Sequence, residues 1–177
     1  TTPYVVRATT TDTNIAAYTY SFEQIDQASG TQVGASSFTY LTKPTGPNFR
    51  ALPPTDKPYR YFPNLNIVLA GVNTTRWESL NSNARDLNFG VTLRNNNPVE
   101  PNIAQDAMKV TVNASAGPFV VTAPTFGQAL SSGANLTVTW NVANTTAAPI
   151  NTANVNIKLS KDGGQTFTTL LANTPND

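Results

Sequence analysis

The sequence predicts an all-β protein: two tandem antiparallel β-sandwich modules, the second of them incomplete. Three observations carry that expectation. Apolar residues recur with period two almost wherever they are regular, which is the signature of strands with one buried face. Turn clusters separate the runs, and 13 Pro and 10 Gly spread through 177 residues leave no room for a long helix. The surface is polar without being charged, with 27 Thr and 21 Asn in a chain only 12% charged.

The elements follow in order. Tyr4-Val5-Val6 opens a first strand with no lead-in. Tyr18, Tyr20 and Phe22 alternate with Thr19, Ser21 and Glu23, after a turn at Thr11-Asp12-Thr13-Asn14. Phe89, Val91 and Leu93 alternate with Gly90, Thr92 and Arg94, and Met108, Val110 and Val112 with Lys109, Thr111 and Asn113. Asn95-Asn96-Asn97-Pro98 is the turn between those two strands. Strand, turn, strand at this spacing favours antiparallel sheets over βαβ units.

Residues at about 40–88 break the rhythm. Pro44, Pro47, Pro53, Pro54, Pro58 and Pro63 forbid a regular helix or a central strand there. Phe49, Tyr59, Tyr61, Phe62 and Trp77 are too apolar for a linker, so the stretch is expected to be an ordered excursion packed on the sandwich. A short helical turn is expected at Trp77-Glu78-Ser79-Leu80.

A boundary is expected at Gly117-Pro118, dividing a first module at 1–117 from a second at 118–177. New strands are expected at 119–122, 136–142, 155–159 and 166–171. Leu136, Val138 and Trp140 share one face, which places Trp140 in a second core. Lys161-Asp162-Gly163-Gly164 reads as the hairpin turn between the last two strands, with Asp-Gly-Gly supplying positive φ. An Ig-like sandwich takes about seven strands and about 100 residues. The second module holds about four strands by that measure, so residues beyond Asp177, or strands from a neighbouring chain, are expected to complete it. Leu136, Trp140 and Ile157 should then lie on a sheet whose opposite layer is incomplete.

Function is bounded first by what is missing. The chain has no His and no Cys, which removes disulfides, thiolate nucleophiles, imidazole bases, His-liganded zinc and the Ser-His-Asp triad. A formal net charge of +1 offers no electrostatic footprint for nucleic acid. No stretch approaches the ~18 apolar residues of a spanning helix, so membrane insertion is not expected, and any targeting segment has been removed. Carboxylate chemistry and oxygen-ligand metals remain. Asp12, Asp26 and Asp106 are the calcium candidates among the first-half acids, although no D-x-D-x-D loop exists. No catalytic carboxylate pair is evident, and no cofactor is expected apart from calcium.

Other candidates are weighed against plainer readings. Ser160 to Phe167 matches the Asp-box spacing S-x-D-x-G-x-T-[WF]; a single copy reads as a turn device rather than a catalytic element. Sequons at Asn73, Asn113, Asn135 and Asn144 are no more than composition yields by chance. Trp77, Tyr4, Tyr59 and Tyr61 are candidates for a sugar-stacking platform, against the more frequent fate of large aromatics in a core. Arg50, Arg60, Arg76, Arg85 and Arg94 are expected to pair carboxylates such as Glu78 and Asp86 across the excursion.

The residues also carry a likeness. Gly117-Pro118-Phe119-Val120-Val121-Thr122, Val138-Thr139-Trp140-Asn141-Val142-Ala143, Ala153 to Gly164 and Asn173-Thr174-Pro175-Asn176-Asp177 resemble the Ig-like module that follows the catalytic domain in secreted reprolysin-like zinc metallopeptidases of Bacteroidota. The first half, through Tyr18 to Asp26, Gly46-Pro47-Asn48-Phe49-Arg50, Tyr61-Phe62-Pro63, Trp77-Glu78 and Met108 to Val112, resembles the module before it. Phe22 stands where that family more often has Trp, and Asn95 where it has Asp, which weakens a shared calcium site. The resemblance implies an exported, extracellular or cell-surface bacterial parent whose non-catalytic accessory region this is, serving as spacer, stabiliser or docking module. It does not import the zinc site, because H-E-x-x-H is absent. The expected partner is the rest of a parent chain or a neighbouring surface protein. The rival expectations are an adhesive or fibre-forming subunit and a carbohydrate-binding module.

Overall fold

A computed structural model describes residues 2–12 and 17–177; Thr13 and Asn14 of the expected first turn lie outside them. The chain is all-β, its regular structure nearly all strand, in several antiparallel sheets. Its Cα trace divides into two compact units, one over Pro3–Val112 and one over Asn113–Asp177 together with Thr2. Residues 113–117, expected to close the first module, belong to the second. Gly117 N donates to Ala143 O at 2.7 Å, and Asn144 Nδ2 donates to Ser115 O at 3.2 Å.

In the first unit β1 (Tyr4–Arg7) pairs with β3 (Tyr59–Phe62). The strands β2 (Thr19–Gln24), β4 (Arg85–Arg94) and β5 (Ile103–Val112) form a three-stranded sheet in the order β2-β4-β5. Strand alternation sorts the side chains as the sequence leads one to expect. Tyr18, Tyr20 and Phe22 point inward, as do Leu87 and Phe89, with Val91 and Leu93 packed against them. Val6 and Phe62 come from the two-stranded sheet to the same core. Phe62 and Phe89 meet at 4.5 Å between ring centroids, Phe49 and Phe62 at 5.1 Å, and Tyr4 stacks on Phe62 at 5.7 Å. On β5, the edge strand of its sheet, only Val112 is buried, and Met108 is exposed although it pairs with the buried Phe89.

The excursion is ordered. It contributes β3 and one short helix, α1 (Leu65–Leu69), capped by Asn64 Oδ1 accepting from Asn66 N at 3.1 Å. Both are brief, as the prolines require. The helical turn expected at 77–80 is not formed. Thr74 bridges Ser79 and Phe49 bridges Glu78, both antiparallel, so Glu78 and Ser79 pair as strand-like backbone at the end of a turn rather than opening a helix. Thr75 explains the difference: its Oγ1 accepts from Trp77 N at 3.2 Å and Glu78 N at 3.0 Å, making a tight side-chain turn.

Proline-rich backbone cannot join a ladder, so buried polar side chains satisfy it instead. Gln24 Oε1 accepts from Asn48 N at 2.7 Å and Phe49 N at 3.1 Å. Asn48 Nδ2 donates to Tyr40 O and to Asn81 Oδ1, and Asn81 Nδ2 donates to Lys43 O. Lys43 Nζ donates to Phe38 O at 3.1 Å, and burial, helped by nearby Arg85, pushes its pKa down.

The second unit holds two two-stranded sheets: β6 (Val120–Ala123) with β7 (Thr139–Asn141), and β8 (Asn154–Leu159) with β9 (Thr168–Pro175). β7 is far shorter than expected, and Leu136 lies outside it, exposed. Trp140 is half-buried rather than in a core; Phe119 stacks beside it and its Nε1 donates to Asn176 Oδ1 at 3.0 Å. Among the described residues no large apolar side chain of this unit is buried. Leu136, Trp140 and Ile157, expected on one sheet, lie respectively outside any strand, on β7 and on β8. Period-two patterning gave the face of Trp140 correctly, but burial needs an opposing layer, and among the described residues the apolar side chains of these sheets stay exposed or half-exposed.

Candidate functional site

Beneath the excursion sits a buried ion pair. Alternation along β3 turns Arg60 and Phe62 inward, with Tyr59 and Tyr61 outward. Arg60 Nη2 donates to Glu78 Oε1, with the two side chains only 7% and 2% exposed. Most of the pair's polar atoms are satisfied: Arg60 Nη1 donates to Phe22 O at 2.6 Å, Nη2 to Arg50 O at 2.7 Å, and Glu78 Oε2 accepts from Asn64 N at 2.6 Å, while Arg60 Nε is buried with no hydrogen-bond partner among the described residues. Burial pulls the Arg60 pKa down, while Glu78 pulls it back up. Expectation and structure agree on Glu78 as a partner.

The other arginines divide differently. Arg85 lies 3.6 Å from Asp26 and donates to Lys43 O and Gly46 O at 3.0 Å each. Asp86, expected to meet an arginine, accepts instead from Thr111 Oγ1 at 2.7 Å and Lys109 Nζ at 3.0 Å. Those hydrogen bonds, Thr111 first, lower its carboxyl pKa. Arg50 and Arg76 go to an aromatic surface. Their guanidinium carbons lie 5.5 and 5.7 Å from the Trp77 ring centroid, and Arg76 also lies 4.1 Å from that of Phe38.

The four aromatics named as a platform are not brought together. Tyr4 packs against the core, its hydroxyl buried with no hydrogen-bond partner among the described residues, and burial raises its pKa. Tyr59 and Tyr61 meet edge to face at 5.8 Å along a groove of ≈ 370 Å³, lined also by Leu52, Pro53, Lys57 and Asn64. Arg7 lies over the Tyr59 ring at 5.0 Å. Trp77 stands outside the groove lining, 55% exposed.

The calcium candidates are separately engaged. Asp12 Oδ2 accepts from the Tyr18 hydroxyl. Asp26 accepts from Gln24 Nε2 at 2.5 Å, Asn88 N at 3.1 Å and Asn88 Nδ2 at 2.7 Å, beside Arg85. Asp106, expected just before a strand, lies within β5 opposite Val91, and its Oδ1 accepts from Ala107 N at 2.8 Å. Among the described residues no group of three or more carboxylates gathers into a site able to hold a metal ion. Nor is any helix long and apolar enough to cross a membrane.

The Asp-box match folds as a turn. Thr166 donates to Asp162 through its Oγ1 at 2.5 Å and its N at 2.9 Å; Ser160 Oγ donates to Asp162 Oδ1 and accepts from Gly164 N, both at 2.7 Å. Gly163 and Gly164 take φ of 69° and 84°, which favours glycine at both positions. These bonds, the Thr166 hydroxyl foremost, hold the Asp162 pKa down from 3.8 to about 2. A depressed carboxyl pKa contributes fully above the unfolded value and is lost as pH falls through the folded one. The Thr166 amide shift is therefore expected to stay constant down to pH 3.8 and then titrate with a midpoint near 2, read by NMR. A midpoint at or above 3.8 would show that the carboxylate is not held by this turn.

Sequence reasoning missed the buried network of Gln24, Asn48 and Asn81, and the pairing of Trp77 with arginines. One signal was present: Trp77 and Glu78 are adjacent, so on an extended segment only one of them can face the core. Searches against family models, curated proteins and solved structures find no match to this chain.

Proposed function

We propose that this chain is a non-catalytic accessory region of an exported bacterial protein, extracellular or at the cell surface, in which it acts as a docking and spacing module. Its parent is of the kind its sequence resembles, a secreted metallopeptidase-like protein whose chemistry lies in another domain. The observation that carries the reading is the second unit, which leaves its apolar groups in solvent. Val121 is 54%, Leu171 58% and Phe126 88% exposed, while the first unit has a closed core. Fully burying an exposed side chain of this kind is worth about 1.5–3 kcal/mol, about half of that for the half-covered Val121 and Leu171, and two-stranded sheets are marginal alone. A further β-layer, from the parent or a neighbouring surface protein, would supply that cover and hold the modules in place.

Size and activity test this reading together. Protein isolated from its native source is expected to have an intact mass far above 18.9 kDa, and the purified 177-residue chain to leave casein and common polysaccharides uncleaved. A native mass near 18.9 kDa would instead favour a self-contained, fibre-forming subunit. Proteolysis that persists with chelator and follows the chain through repeated purification would overturn the non-catalytic assignment.

A further inference from the structure

The surface around Trp77 is built in a way that the docking role of the second unit does not require. Phe49 and Glu78 oppose each other in an antiparallel bridge, both 2% exposed, and Arg50 N donates to Trp77 O at 3.2 Å. Alternation therefore turns Arg50 and Trp77 outward as neighbours. The backbone beneath them is tied down on every side. Thr75 N donates to Glu78 O at 2.8 Å, Thr39 Oγ1 to Thr75 O at 2.7 Å, and Ser79 N to Asn48 O at 2.9 Å. Below the turn lies the Arg60–Glu78 pair. An indole more than half exposed is thus presented from a rigid support.

Charge bears on the same place, through what the two arginines there have around them. Arg60 and Arg85 have carboxylate partners, but among the described residues Arg50 and Arg76 have none. Both guanidiniums are instead gathered around Trp77, and Arg76 also covers Phe38. Two arginines out of only 11 cations in the whole chain share one exposed aromatic ring. Two cations bordering one exposed ring without a carboxylate partner make a positive surface that favours an anionic ligand.

We propose that Phe38, Arg50, Arg76 and Trp77 form a binding site for an acidic polysaccharide, a uronate polymer. A uronate joins in one residue the two things this surface lacks. Its pyranose ring carries a face of C–H groups that packs on an aromatic side chain, and its planar carboxylate matches the fork of a guanidinium. A neutral sugar would leave both arginines unpaired. An acidic peptide would satisfy the charges and leave the indole uncovered. The proposal is independent of what covers the second unit.

The test is titration of the 177-residue chain with a galacturonate oligomer, followed calorimetrically and by Trp emission. Cellohexaose serves as the neutral control and poly-glutamate as the acidic-peptide control. Saturable binding is expected for the galacturonate oligomer alone, weakening as salt rises. Affinity should fall at least about tenfold in Trp77→Ala and again in the Arg50→Gln/Arg76→Gln pair. These side chains are exposed, so an unchanged circular dichroism spectrum is expected, and Lys109→Gln should bind like the parent chain. The proposal is overturned if the galacturonate oligomer does not bind, or if the arginine pair binds it undiminished. Equal binding of cellohexaose or of poly-glutamate overturns it as well.

Discussion

Arg60→Ala is expected to destabilise the first unit by about 3–5 kcal/mol, because it strands Glu78 in the interior without its cation. Glu78 is 2% exposed, and Asn64 N alone would remain to hold its carboxylate. The carbonyls of Phe22 and Arg50 lose their donors in the same step. Such a loss is a large share of the ~5–15 kcal/mol that a domain commands. The readout is the free energy of amide opening in β4, which isolates this unit from the other. The Arg60→Met/Glu78→Leu chain should recover much of the cost, because an apolar pair of similar size leaves no buried charge behind. A cost below about 1 kcal/mol for Arg60→Ala would mean that the pair is effectively solvated.

Phe62→Ala is the second large effect, about 3–5 kcal/mol. Its ring is wholly buried and meets Tyr4, Phe49 and Phe89, so truncation opens a cavity where both sheets of the first unit and the excursion join. Phe167→Ala in the second unit is the matched control. That ring is 47% exposed, and its removal should stay within about 0.5 kcal/mol. Similar costs at the two positions, from denaturant titration monitored unit by unit, would contradict the contrast drawn between the two units.

What was legible in the sequence is what is local. The strands β2, β4 and β5 announce themselves because alternation needs only near neighbours, as at Phe22 between Ser21 and Glu23. The turn at 160–167 is legible for the same reason, since Ser160, Asp162 and Thr166 bond one another within a few residues. The excursion was harder to read. Glu78 is buried because Arg60 is buried 18 positions earlier, and Asn48 because Gln24 reaches it across 24. Neither leaves a periodic trace. Trp77 shows the limit of composition: large aromatics favour cores, yet the Thr75 turn sets the parity that puts Glu78 inside and the indole outside. Asp26 looked like a cation ligand from its type alone, and Arg85 and Asn88 occupy it instead.

Native-state hydrogen exchange, followed amide by amide in the 177-residue chain and in protein from the native source, tests most directly whether the second unit is a docking module. In the isolated chain, amides of β4 should exchange only through global opening of the first unit, while those of β6 and β9 exchange orders of magnitude faster. In the native-source protein the β6 and β9 amides should become protected, as a covering layer would require. Slow exchange of β6 and β9 in the isolated chain, equal to that of β4, would contradict the account, because the second unit would then be stable without any cover.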